Sequence, residues 1–311
     1  MAGFIGNVSA RRAELAIPLP GRVVGAHGRH YMVELEDGSI LHCHPRGKKS
    51  NLACGDRVQV HRTGSDRGAI DLVHERTSLL YRSDRHREKI IAANVTQVAV
   101  VVAARPSFYE DLLVRCLVAA EHQKLRALIV VNKADLVEET AQTMQRLQAY
   151  AHLGYGLLQL SAKRDVSPLR PALAGHISVL VGQSGMGKST IVKALVPEAA
   201  VAIGEISVAL DSGKHTTAST RLYRQDSDSA IIDSPGMQTF GLHHLTQPEL
   251  VDAFPEFRPL AGGCRFNDCR HTVEPGCAIA SAVEEGRIDR WRWDAYRTLA
   301  EELARKAPAW S

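Results

Sequence analysis

Three short segments, in an unusual order, constrain this 311-residue chain more than anything else in it. Asn132-Lys133-Ala134-Asp135 and Ser161-Ala162-Lys163 come before Gly182-Gln183-Ser184-Gly185-Met186-Gly187-Lys188-Ser189, not after it. The last fits the G-x-x-x-x-G-K-[ST] pattern of a phosphate-cradling loop. The first two have the form of loops that read a guanine base. In a GTPase domain of ordinary connectivity the phosphate loop comes first. Here the parts are complete but circularly permuted, so the domain has new ends. Whatever lies beyond those ends is coupled to the nucleotide differently.

The context of each segment supports its reading. Residues 176–181 are β-branched and apolar, as a buried parallel strand requires. After the glycine-rich loop, Thr190 and the residues following it continue as a helix that Pro197 stops. Loop N–H groups and a helix N-terminus favour phosphate oxygens. Lys188 is then expected to reach the β- and γ-phosphates, and the Ser189 hydroxyl to ligate Mg²⁺. A glycine-rich turn matching by chance is the alternative. Residues 126–131 read as a second buried strand with Asn132 at its C-terminal end, where open α/β sheets bind ligands. A carboxylate at Asp135 accepts from two guanine N–H groups, Asn132 ties the loop together, and the Lys133 stem covers the base. Alone, either loop reads as a solvated turn. Together they point to GTP and GDP, with ATP a poor second.

Between the phosphate loop and the chain end lie two further segments. Asp233-Ser234-Pro235-Gly236 closes an apolar run with the D-x-P-G form. There Asp233 would hold Mg²⁺ through water and the Gly236 N–H would face the γ-phosphate. Gly213-Lys214-His215-Thr216-Thr217 stands where a first switch belongs, and Thr217, or else Thr216, completes the Mg²⁺ shell. Met237 occupies the position of the glutamine that orients attacking water in many GTPases. A thioether cannot do that, so hydrolysis is slow or the water is held from elsewhere. His215 is the candidate for that catalytic task beside Lys188 and Thr217; an exposed loop histidine is the plain alternative.

Cys264, Cys269, His271 and Cys277 gather three of the six cysteines within fourteen residues. Three thiolates and an imidazole make a closed tetrahedral shell for one structural Zn²⁺. The segment is polar and turn-rich, so a metal would supply its folding energy. Disulfides or free thiols are the alternatives. Cys43, Cys54 and Cys116 are scattered and read as reduced side chains.

Along the chain, residues 1–20 read as a flexible tail and 21–75 as five short strands, with Asp37-Gly38 a hairpin turn. That pattern suits an OB-fold barrel. Residues 76–90 read as a charged linker, 91–245 as the permuted domain and 246–311 as a zinc-binding helical domain. Within the last, 279–306 reads as one helical run, and Trp291 and Trp293 read as packing anchors sooner than base-stacking platforms. The fold class is therefore multi-domain: an N-terminal all-β OB-fold barrel, a central α/β circularly permuted P-loop GTPase and a C-terminal zinc-binding helical domain. The net charge is +4, yet residues 1–90 hold 15 Lys and Arg against 10 Asp and Glu, and seven of 14 histidines. This bias suits an anionic surface such as RNA, or is simply a mildly basic surface. No signal-like apolar stretch and no run of about 18 apolar residues occurs, so the expectation is a soluble cytoplasmic protein free of membrane; it is also expected to be a monomer.

Taken in order, these segments resemble the RsgA (YjeQ) family of circularly permuted GTPases over about residues 21–306. The resemblance implies a GTP phosphohydrolase, feeble alone and strongly stimulated by the small (30S) ribosomal subunit. Such a protein assists late maturation of the subunit, contacts its 16S rRNA and leaves after hydrolysis. It also implies that His215 replaces the missing glutamine. The asparagine of potassium-activated GTPases falls at Gly185, so no such ion dependence is expected. A GTP-dependent RNA-binding switch with incidental hydrolysis is the other reading.

Overall fold

The computed structural model describes residues 18–46, 51–84, 87–197, 220–236 and 240–306. His215, Thr216, Thr217 and Met237 lie outside them.

Five strands form the N-terminal barrel: β1 (Leu19–His27), β2 (His30–Leu35), β3 (Ile40–Pro45), β4 (Arg57–Arg62) and β5 (Arg67–Val73). They pair in the order 1-2-3-5-4, and β1 pairs again with β4 to close the circle. Alternation decides which side chains point inward, and Val23, Val33, Leu41, Val58, Val60 and Ile70 fill the interior. At the β2–β3 turn, Gly38 takes a positive φ and the Asp37 carboxylate accepts the Ser39 N–H at 2.9 Å. This is the hairpin expected from Asp37-Gly38.

The stretch read as a linker is structured. β6 (Leu79–Asp84) and β7 (Arg87–Ala93) form an antiparallel hairpin. Its base is buried through Leu80, Ile91 and Ala92, while the charged centre of the segment masks this apolar content in the sequence. Arg76 also belongs to the folded body: it pairs with the buried Asp56 at 2.7 and 2.8 Å.

The central unit is a parallel sheet of β10 (Gly156–Gln159), β9 (Arg126–Asn132), β8 (Gln97–Ala103), β11 (Ile177–Val181) and β13 (Ala230–Asp233), bordered by antiparallel β12 (Thr220–Arg224). Every residue of β8 is buried, consistent with a sheet covered on both faces. Among the described residues the α-helices of the central unit are α1 (Glu110–His122), α2 (Val137–His152), α3 (Arg170–Leu173) and α4 (Lys188–Leu195). β12 pairs on its other side with barrel strand β1, Gly25 opposite Arg221 and Ala26 opposite Thr220. Barrel and central sheet thus share one hydrogen-bonded ladder. Glu34 and Arg224 reinforce it with an ion pair at 2.5 Å.

Past the central unit come α5 (Gln247–Asp252), with a Thr246–Glu249 capping box, then α6 (Ala278–Glu284) and α7 (Arg290–Lys306). The single helical run expected over 279–306 is broken, because Gly286 adopts a positive φ and the chain turns there. Both tryptophans serve packing. Trp291 lies against Tyr150 of α2 at 5.0 Å, and the Trp293 indole N–H donates to the His271 carbonyl at 2.7 Å. Among the described residues no helix is long and apolar enough to cross a membrane.

Candidate functional site

The phosphate loop runs from the end of β11 into α4, at the C-terminal end of the parallel strands. Gly187 has φ 94° and a Cβ there would meet the Asn132 amide nitrogen at 2.3 Å, so both conformation and space demand glycine. The Lys188 ammonium donates to the carbonyls of Gly182 and Gln183 at 2.8 and 3.1 Å. Burial pushes it down to about 8, and the Asp233 carboxylate pulls in the opposite sense. Ser189 donates its hydroxyl to Asp233 at 3.2 Å, while Thr190 stands exposed on the first turn of α4.

Asp233 ends β13, beside β11. Burial pushes its carboxyl up to about 6, against the pull of Lys188 and Ser189. Its Oδ1 is buried and has no hydrogen-bond partner among the described residues. An orphaned carboxylate oxygen next to a serine hydroxyl is the donor set a hard dication takes. Three residues on, Gly236 approaches the phosphate loop so closely that a Cβ would lie 3.0 Å from the Ser184 Cα. Ser234 donates to the Leu180 carbonyl at 2.6 Å, fixing the start of this segment on β11.

Asn132 unites the loops. Its amide N–H donates to the Met186 carbonyl at 2.9 Å, and its amide oxygen accepts from the Ala162 N–H at 3.0 Å. It is 2% exposed, so both bonds are sheltered from water. Asp135 accepts the Ser161 hydroxyl at 2.6 Å, and this bond is the main cause holding its carboxyl below the usual range. Lys133 takes a positive φ and donates to the Arg105 carbonyl at 2.7 Å; Lys163 stays exposed. Asn132, Lys133, Asp135, Ser161, Ala162 and the residues from Gly182 to Ser189 therefore converge on one rim of the sheet. The Ser234 tie and the contact to Arg105 were not anticipated. The first could be suspected from a serine inside the D-x-P-G segment; the second uses a main-chain carbonyl and leaves no signal.

A second cluster forms around His271. The ligand atoms of Cys264, Cys269, His271 and Cys277 all lie within 4.8 Å of one another. Cys264 and Cys277 sulfurs are 3.4 and 3.5 Å from His271 Nδ1. Four donor atoms this close together could hold a metal ion. The six cysteines are unbridged. Burial keeps His271 below its ordinary value, favouring the neutral imidazole that ligates metals.

Against known proteins, a family model described as RsgA GTPase matches residues 73–243. A protein of Nitrosospira multiformis named small ribosomal subunit biogenesis GTPase RsgA is 53% identical over 286 residues, 92% of this chain and 91% of that one. Proteins of the same name from Burkholderia pseudomallei and Nitrosomonas europaea are 52% and 48% identical, over 91% and 97% of this chain and 92% and 97% of their own lengths. Among solved structures, YjeQ from Thermotoga maritima superposes with a TM-score of 0.70 at 30% identity, covering 94% of this chain and all of that one. YloQ, described as a circularly permuted GTPase, gives 0.69 at 27% identity, covering 97% of this chain and all of that one.

Proposed function

Because the chain belongs to the RsgA GTPase family, we propose that it hydrolyses GTP on the small ribosomal subunit, assists late maturation of that subunit, and leaves once hydrolysis has occurred. The GTPase character and the part in small-subunit biogenesis come with the family. The sequence of events on the subunit, contact with 16S rRNA, action as a monomer and a cytoplasmic setting are our reading.

One observation carries it. Asn132 hydrogen-bonds both the phosphate loop and the Ser161–Lys163 loop, so base reading and phosphate cradling are parts of one site in spite of the permuted chain order. In this reading Asp135 accepts from guanine, while Lys133 and Lys163 flank the base. The N–H groups between Gly182 and Thr190 hold phosphate oxygens, and Lys188 reaches the β/γ-phosphates. Mg²⁺, when bound, neutralises charge gathering on those phosphates. Ser189 and Thr217 would ligate it, with Asp233 supporting through water and Gly236 facing the γ-phosphate. His215 would orient the attacking water. Cys264, Cys269, His271 and Cys277 would hold Zn²⁺, which contributes the folding energy that so polar a loop lacks.

The test is hydrolysis of GTP and of ATP by the purified protein, with and without small subunits. A large GTP-selective rise with subunits supports the proposal and makes His215→Ala the next variant. GTP-dependent subunit binding without any rise would instead favour a binding switch.

A further inference from the structure

The loop between β8 and α1, residues 104–109, is absorbed by none of the nucleotide motifs, yet it touches two of them. On the base side, the Arg105 carbonyl accepts the Lys133 ammonium at 2.7 Å. On the phosphate side, the Pro106 ring lies 3.5 Å from where a Cβ on Gly185 would stand, and the Tyr109 N–H donates to the Gln183 side chain at 3.2 Å. A third set of contacts reaches the helix that follows the base-reading loop. The Arg105 guanidinium pairs with Glu139 at 2.8 Å, and Arg146 lies over the buried Phe108 ring at 5.1 Å. The loop therefore fills the corner between the two halves of the site.

A lysine stem is flexible unless its ammonium is held, and a flexible stem is a poor wall for a planar ring. Here the ammonium is held by a main-chain oxygen, and the loop that carries this oxygen hydrogen-bonds the phosphate loop through the Tyr109 N–H. We propose that residues 104–109 are a positioning element of the guanine pocket, in which the Arg105 carbonyl, on a loop tied to the phosphate loop by Tyr109 and with Pro106 facing Gly185, presets the Lys133 stem as one wall for the base. The proposal rests on the reading that Asn132 to Asp135 receive guanine. It adds that the wall is set from the phosphate side, so base and phosphate recognition are mechanically joined at a second place besides Asn132.

The experiment is a double-mutant cycle on the full chain, read by equilibrium binding of GDP and of inosine diphosphate. Inosine diphosphate lacks the 2-amino group that Asp135 reads, but still presents a ring face to the Lys133 stem. Pro106→Gly should weaken both nucleotides about tenfold, the weight of one hydrogen bond to a charged group. Lys133→Met should do the same. Combining them should add less than about twofold to Lys133→Met alone, because both changes release the same stem. If the two losses multiply, or Pro106→Gly binds GDP like the unaltered protein, the loop is only a structural connection and the proposal falls. Should Pro106→Gly fail to fold, the same cycle with Pro106→Ala decides. An unaltered protein that binds ADP as tightly as GDP would overturn the guanine assignment itself, and the role of the loop with it.

Discussion

Asp135 is partly exposed, so its carboxylate can meet a ligand while one of its oxygens accepts the Ser161 hydroxyl. Replacing it by asparagine puts a donor where guanine also presents donors. Asp135→Asn should therefore cost at least about a hundredfold in GTP affinity and improve binding of xanthosine triphosphate, whose 2-oxo group accepts. Competition titration of the two nucleotides measures this; an unchanged preference would remove Asp135 from the base site. Asn132 has a different role. Its two sheltered bonds hold loops together, so Asn132→Ala should lower stability by about 2 kcal/mol in urea unfolding and weaken every guanine nucleotide alike. Residues of this kind were legible in the sequence because base reading and phosphate cradling each demand particular side chains at particular spacings. Arg105 was not, since the atom that matters is its carbonyl oxygen, which any residue carries.

Among the elements, α7 is anchored by a buried ion pair. Arg292 is 1% exposed, pairs with Glu256 at 2.5 and 3.2 Å, and lies over the Phe254 ring at 4.5 Å. Removing one partner strands a buried charge, so Glu256→Ala should cost about 3 kcal/mol or more. Glu256→Leu together with Arg292→Met should cost clearly less, because no charge is then left behind. Thermal or urea unfolding distinguishes the two. Nearer the surface, Arg115 of α1 holds Glu302 of α7, and this bond is the main cause keeping the Glu302 carboxyl below the ordinary 4.5. In the unfolded chain Glu302 returns to that ordinary value. The contribution of the pair is therefore present above about pH 4.5 and is lost as pH falls through the lower folded value. Glu302 is partly exposed, which limits the effect to about 1 kcal/mol. Stability curves of the unaltered protein and Glu302→Gln should differ at pH 7 and converge in acid; parallel curves would mean the pair contributes nothing. The break between α6 and α7 and the β6–β7 hairpin escaped the sequence reading for related reasons. A lone glycine in a helical pattern is ambiguous, and a charged run conceals short apolar ends.

For the molecule as a whole, the barrel and the central sheet were both legible, the first from alternation and a turn, the second from buried strands and motifs. Their junction was not. Gly25 and Ala26 meet Arg221 and Thr220 across more than half the length of the chain, and two short strands carry no local mark of such a distant partner. β12 follows the segment proposed as the first switch, and its other side borders the strand that ends at Asp233. A change of nucleotide should thus reach the barrel through main-chain bonds. Amide hydrogen exchange along β1 should differ between GDP-bound and GTP-analogue-bound protein; identical exchange would mean that the ladder does not transmit the state. The same ladder has a consequence for dissection of the chain. β1 covers the start of β12 at Thr220 and Arg221, and barrel closure pairs β1 with β4. Excising the barrel should bare the part of β12 that Gly25 and Ala26 cover, and an uncovered strand edge is open to recruitment by another copy.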